Sequence, residues 1–212
     1  MNTAKPKAAG MAGEGDSTRE AILLAAARIF YRRGYKATTL RDLAKACNLK
    51  AGSIYYYFGS KEEIGGEVLD RGMRGMIEQV RAAAEAAQPP SSYRAKIDAA
   101  LRVHLRTLFE NPYAAANLRI FNQAPPAVRR RNQRLHDAYH AYWRGLFAEA
   151  QAAKEIRGDI NLSLLRLLII GAINLVDQWF KPERGSLTPD DLIRQFMLVL
   201  FEGMTPSGAG KT

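Results

Sequence analysis

Helix-start signals recur so densely between Ser17 and Glu63 that little room remains for any other local structure. Ser17-Thr18-Arg19-Glu20, Thr39-Leu40-Arg41-Asp42 and Ser60-Lys61-Glu62-Glu63 each set a hydroxyl three residues before a carboxylate. At that spacing the two side chains satisfy each other's unbonded backbone amides at a helix N-terminus. Behind the first box, Ile22, Leu23, Ala26, Ile29 and Phe30 repeat with the period of one helix face, and Gly34 stops the helix. The second box opens a short helix with Leu40, Leu43, Ala44 and Cys47 inward. Asn48-Leu49-Lys50 then turns the chain, and Ala51 to Phe58 forms another short helix. The third box starts a long helix reaching about Ala87.

Beyond the break at Pro89-Pro90 the spacing predicts helices over Tyr93 to Phe109, Tyr113 to Phe121 and Ala127 to about Ile156. Asn111-Pro112 and Pro125-Pro126 separate them. Asn161 to Phe180 is apolar nearly all round, as expected of a helix covered on most sides. Thr188-Pro189-Asp190-Asp191 supplies a cap, a first-turn proline and two carboxylates to a last helix, whose Leu192, Ile193, Phe196, Val199 and Leu200 share a face. No alternating strand pattern occurs. The expected fold is all-α with about nine helices: a three-helix head over residues 17–66, a helical body over 67–204, and disordered tails at 1–16 and 205–212.

The net charge of +10 is densest in the first third of the chain. A basic surface attracts phosphate backbones or anionic lipid headgroups, or merely keeps a face solvated. The first helix mixes Arg19, Arg28, Arg32 and Arg33 with Glu20, unlike a membrane-surface helix, which concentrates its cations on one face. The longest apolar run, Leu162 to Val176, contains Arg166 and is shorter than a span of roughly 20 residues. No membrane partner and no secretory leader are expected. Cys47 is the single cysteine, so a reducing cytoplasm is the expected setting.

Enzymatic signatures are lacking. His136 and His140 stand at i, i+4, but no third ligand is evident beside them or His104. Gly210-Lys211-Thr212 lacks the earlier glycine of a phosphate loop, and no nucleophile elbow or dinucleotide fingerprint occurs. No catalytic residue, metal or cofactor is expected.

The informative stretch runs from Gly34 through Thr38-Thr39-Leu40-Arg41-Asp42-Leu43-Ala44 and Gly52-Ser53-Ile54-Tyr55-Tyr56-Tyr57-Phe58 to Ser60-Lys61. Two short helices about a tight turn form a helix-turn-helix, whose second helix can enter a major groove. Small residues Ala51, Gly52 and Ser53 allow close approach to base edges, and the tyrosine hydroxyls can reach bases or phosphates. Thr39 and Lys61 stand at helix N-termini, where free amides favour a phosphate. Three successive tyrosines point in three directions, so not all can be buried.

Over Ser17 to Val68 this region resembles the DNA-binding head of TetR-family repressors, in the Thr-Thr pair, the Ile-Tyr-Tyr-Tyr-Phe core and the Ser-Lys-Glu-Glu helix start. The resemblance implies DNA contacts by Thr39, Arg41, Ser53, Tyr55, Tyr56, Tyr57 and Lys61, with Ile54 and Phe58 in the core. Lys50, Ala51 and Gly52 complete the expected interface. Tyr57 stands where histidine is common and Asn48 where glycine is usual. Asparagine tolerates the left-handed conformation, so the turn is expected to survive.

By the same resemblance the body is a ligand-binding and dimerisation domain. The protein would be a homodimeric repressor on a palindromic double-stranded operator, released by a small-molecule effector. A short recognition helix reads few base pairs, which itself favours paired heads. Leu165, Leu168, Ile169, Ile173, Val176 and Trp179 exceed what one core needs and mark the expected seam, unless they are interior to one subunit. His104, Phe109, Tyr113, Phe121, Tyr139, Trp143 and Asn174 are the candidate effector contacts, an aromatic set with few polar anchors. Arg130, within Arg129-Arg130-Arg131 and near Arg134, suits the phosphates of a coenzyme A tail or is simply solvated. The segments Gly171 to Phe180 and Gly185 to Thr188 are similar to the C-terminal part of acyl-CoA-responsive catabolic regulators, so a small hydrophobic or acyl-CoA-type effector is expected. Gly65, Gly66, Gly72 and Gly75 either soften the long helix as a hinge or allow close helix crossings.

Overall fold

Thr39 and Asp42 close the reciprocal cap foreseen for them. The Thr39 hydroxyl accepts from the Asp42 amide at 3.2 Å, and the Asp42 carboxylate accepts from the Thr39 amide at 2.8 Å. Thr188 and Asp191 repeat this arrangement at 3.1 and 2.8 Å. At Ser60 only half of the box forms. Its hydroxyl accepts from the Glu63 amide, but the Glu63 carboxylate takes the amide of Gly59 instead. Ser17 caps nothing, because the first helix already begins at Gly10. Glu20 is occupied elsewhere, accepting from Arg71 at 2.6 Å.

The computed structural model describes residues 10–90, 92–180, 185 and 187–203; of the expected tails, 1–9 and 205–212 lie outside them, while 10–16 belong to the first helix and not to a disordered tail. The elements are α1 Gly10–Arg33, α2 Leu40–Ala46, α3 Lys61–Glu85, α4 Tyr93–Glu110, α5 Pro112–Ile120, α6 Pro126–Ala152, α7 Leu162–Asn174, α8 Val176–Trp179 and α9 Pro189–Glu202. Two 3₁₀ segments, Ala51–Tyr56 and Phe121–Gln123, complete them, and the described residues contain no strand. The expected single helix from Asn161 to Phe180 is interrupted at Leu175, whose amide turns to the Ala172 carbonyl, three residues back, at 3.2 Å. Such a tightened bond closes α7 in a 3₁₀-like turn.

The chain divides into two compact units, Met1–Gly75 with Asn111–Tyr139, and Met76–Glu110 with His140–Thr212. In the first, Ile22, Phe30, Leu43, Ile54, Phe58 and Leu69 are almost wholly buried together with Ala116 and Ile120 of α5 and Val128 of α6. α1 lies along α5. Arg19 and Arg71 tie α1 to α3 through Glu67 and Glu20. The guanidinium of Arg19 also lies over the Phe58 ring.

The crossing of α3 and α5 is unusually close. A Cβ at Gly72 would lie 2.3 Å from the Tyr113 carbonyl oxygen, and one at Gly65 would lie 2.7 Å from the Tyr35 ring. At Gly66 and Gly75 it would meet its neighbours at ordinary distances of 3.8 and 3.6 Å. Two of the four α3 glycines therefore serve close packing rather than a hinge.

In the second unit α4 packs against α9 and α7. Leu101, Leu105, Trp143, Phe147, Ile170 and Ile193 form its buried centre. Ile169, Ile173 and Val176 are buried too, which corrects their expected place on an outer seam. The outward stripe consists instead of Leu164, Leu167, Leu168, Leu175 and Trp179, with Leu198 and Val199 of α9 also exposed. α7 is apolar on both sides because one side is core and the other is bare.

Adding a methyl where no volume exists costs about 1–3 kcal/mol. Gly72→Ala should lose stability of that order in urea denaturation. Gly66→Ala should instead be neutral or gain up to about 1 kcal/mol from helix propensity. Equal effects at the two positions would contradict the close crossing.

Candidate nucleic-acid interface and a buried polar cluster

α2 carries its Leu43 and Ala44 into the core of the first unit and leaves Arg41 in solvent. The chain then reverses at Asn48, whose φ of 55° is the left-handed conformation expected of it. The Leu49 amide closes the turn on the Ala44 carbonyl at 2.8 Å.

The second short element winds as a 3₁₀ segment over Ala51–Tyr56, not as the α-helix expected to Phe58. With about three residues per turn, positions i and i+3 align. Ile54 and Phe58, at 0% and 1% exposure, hold the segment to the core and force the residues between them outward. Tyr55 is 61% and Tyr56 85% exposed. Tyr57 is half-buried and meets the Tyr56 ring edge-on at 5.1 Å. Lys50, Ala51 and Gly52 are exposed and Ser53 partly so; a Cβ on Gly52 would meet nothing. Thus Arg41, Lys50, Ala51, Gly52, Ser53, Tyr55 and Tyr56 are all within solvent reach on one helix-turn-helix.

Two expected contacts have internal duties. The Thr39 hydroxyl both accepts from the Asp42 amide and donates to its carboxylate. The Lys61 ammonium donates to the carbonyls of Tyr35 and Thr38 at 3.1 and 2.9 Å, and lies 4.5 Å from the centre of the Tyr35 ring. It clamps the α1–α2 loop onto the start of α3. Burial, and then the nearby Glu62 carboxylate, raise the Tyr35 phenol above its ordinary range. Cys47 is half-buried, and burial pushes its thiol up, as suits a small packing residue.

The candidate effector residues divide between the units. In the second, His104 is fully buried with its Nε2 3.0 Å from the Asn174 Oδ1, and its ring lies 6.4 Å from that of Trp143. Trp143 packs on Phe147 at 5.6 Å, and Phe109 faces Phe180 at 6.3 Å. In the first unit Tyr113 lies beneath the Arg71 guanidinium, Phe121 rests on the His136 ring at 4.1 Å, Tyr139 is buried and Arg130 is exposed. His104, Trp143 and Asn174 therefore form one cluster.

Arg166 of α7 carries a buried polar group and lies outside the residues that the sequence singles out for a site. Its Nε is buried with no hydrogen-bond partner among the described residues. It stands three, four and seven positions from the buried Ile169, Ile170 and Ile173, which puts it on their inward side of α7. A lone arginine inside an apolar run was the available signal. Asn117 and Asn132 are buried as well, linked to each other and to Asp70. The described residues hold no cluster of three metal-ligating side chains, and no helix among them is long and apolar enough to cross a membrane.

Residues 22–68 match the family model described as bacterial regulatory proteins, tetR family, and residues 90–204 match a tetracyclin repressor-like C-terminal domain. The HTH-type transcriptional repressor KstR2 of Rhodococcus jostii is 26% identical over 206 residues, spanning 90% of this chain and 93% of that protein. The TetR-family regulator PfmR of Thermus thermophilus superposes with a TM-score of 0.76 at 25% identity, over 87% of this chain and 98% of its own. AibR, solved with isovaleryl coenzyme A and operator DNA, superposes with a TM-score of 0.79 at 22% identity, over 87% and 98% of the two chains.

Burial lowers the pKa of His104 to about 4 from its ordinary 6.5, with the Asn174 hydrogen bond opposing the shift. The unfolded chain therefore binds a proton that the folded chain refuses between these values, and stability falls as pH drops through that window. Lowering the pH from 7 to 4.5 should cost the wild type about 2–3 kcal/mol more unfolding free energy than His104→Gln, measured by urea denaturation. Parallel profiles would exclude a neutral buried His104.

Proposed function

Since this chain belongs to the TetR family of bacterial transcriptional regulators, we propose that it is a repressor that binds a palindromic operator as a homodimer and leaves it on taking up a small apolar or acyl-CoA-type effector. The observation that carries the DNA reading is the pair of exposed tyrosines held out by buried Ile54 and Phe58. Arg41 and Lys50 supply cations beside them. Ser53 and the small Ala51 and Gly52 admit the groove wall, the hydroxyls of Tyr55, Tyr56 and Tyr57 reach bases or phosphates, and the helix starts that Thr39 and Lys61 hold present first-turn backbone amides to the phosphates.

The bare stripe of α7 and α8, with the exposed Leu198 and Val199 of α9, supports the dimer. Leu168 and Trp179 are 71% and 58% exposed, and large apolar side chains contiguous on a surface mark an interaction site. Paired heads then read two half-sites about one helical turn apart, or a multiple of that spacing.

The effector reading rests on the cluster of His104, Asn174 and Trp143, an apolar surround with a few convergent polar groups. Phe109, which faces Phe180 in the same unit, is the further aromatic contact proposed there. AibR with its bound isovaleryl coenzyme A supports a thioester among the effectors.

In vitro selection of genomic fragments by the purified protein at physiological salt should return a recurring palindrome; uniform recovery would withdraw the operator reading. On that site Tyr56→Ala should weaken binding by about 1–3 kcal/mol, and Lys50→Ala should reduce the dependence on salt by about one counterion. Leu168→Glu should sediment as a monomer and lose operator affinity. A dimer that persists in this variant would place the seam elsewhere.

A further inference from the structure

The second unit contains a cavity of about 130 Å³ that none of the candidate effector residues lines. Ile97 of α4, Phe147 of α6 and Ile169 of α7 form its floor, each no more than 2% exposed. Ile156, from the α6–α7 connection, and Leu200 and Phe201, from α9, form its half-buried rim. His104, Trp143 and Asn174 are absent from its lining.

The walls are held by bonds that leave the space open. Gln151 ties down the connection by donating to the carbonyls of Arg157 and Ile160 at 2.8 and 3.1 Å. Arg94 lies 5.1 Å from the centre of the Phe201 ring and pairs with Glu202 at 2.8 Å, fixing the end of α9 against α4.

The chemistry of an occupant follows from what lines the mouth. Two charged residues stand there, and both are satisfied. Glu155 accepts the amides of Tyr93 and Arg94 at 3.0 and 2.8 Å, and Arg157 is paired with Asp159 at 2.6 Å. Among the described lining residues neither charged side chain lacks a hydrogen-bond partner, and the buried floor of Ile97, Phe147 and Ile169 carries no charge at all. An apolar cavity of about 150 Å³ lined by Leu, Ile and Phe stays dry and binds benzene. This one is of similar size and has Ile, Leu and Phe side chains along its walls, and unlike that cavity it opens to solvent beside Glu155 and Arg157. A filled cavity regains the dispersion contacts that its bare walls lack.

The geometry points to a second ligand site here, taking one compact uncharged apolar group the size of a small aromatic ring; it adjoins the His104 cluster through Phe147 and shares none of that cluster's three residues. The site stands on the cavity alone and does not depend on the operator or dimer readings.

The experiment is calorimetric titration of the full chain with toluene and, separately, with benzoate. Toluene should bind saturably at one site per chain, and benzoate, whose charge would have to leave water for the apolar floor, should bind at least ten-fold more weakly. Filling the floor with Ile169→Phe, or the rim with Leu200→Phe, should each abolish toluene binding; the rim change keeps the test valid if the floor change fails to fold. Absence of saturable toluene binding to the wild type, equal binding of benzoate, or undiminished binding to a folded filled variant would overturn the site. Operator selection on the same preparation is unaffected by any of these outcomes, so loss of the cavity site leaves the regulator reading to its own test.

Discussion

Asn117 stands where three helices of the first unit meet, and the arrangement around it depends on its side-chain amide. From α5 it donates to the Leu69 carbonyl of α3 at 2.7 Å and to Asn132 of α6 at 3.2 Å, while Asn132 donates to Asp70 of α3 at 2.9 Å. Both asparagines are buried, and a buried donor or acceptor without a partner costs about 1–3 kcal/mol. The network therefore tolerates only one register of α5 on α3. Gly72 makes that register reachable, since any larger residue would push Tyr113 and Asn117 away. The core beneath the helix-turn-helix, which includes Ala116 and Ile120 of α5, inherits its shape from this crossing.

The sequence was legible where the decisive partners are close along the chain. Thr39 and Asp42 are three residues apart, as are Thr188 and Asp191, and both caps formed as read. Asn48 took the left-handed turn for reasons contained in its own side chain. Legibility failed where a distant group intervened. Glu20 left the Ser17 box for Arg71, 51 residues away, and the helix ran on toward the N-terminus. Lys61 looked like a free cation at a helix start, yet its acceptors lie 26 and 23 residues earlier.

The same distinction holds for the candidate sites. Tyr55 and Tyr56 were readable as exposed because Ile54 and Phe58 beside them are plainly core residues. His104 and Asn174 were each nameable from the sequence, but their pairing across 70 residues was not. Which side of α7 faces inward could not be read, because an apolar helix with two apolar sides carries no periodic signal; the buried Ile169 and Ile173 and the exposed Leu164 and Leu168 look alike as letters. The 130 Å³ cavity left no trace at all, since a void belongs to the fit among several elements and not to any residue.

The two tryptophans of the chain lie in opposite environments: Trp143 is fully buried and Trp179 is 58% exposed. Their emission therefore separates into a blue-shifted component shielded from aqueous quenchers and a red-shifted component open to them. The first reports on the integrity of the interior around Phe147 and His104. The second reports on whether the outward stripe is covered. Collisional quenching by iodide, read at the two edges of one spectrum, thus gives the protein an intrinsic optical gauge that distinguishes a chain that has unfolded from one that has merely lost whatever covered its surface.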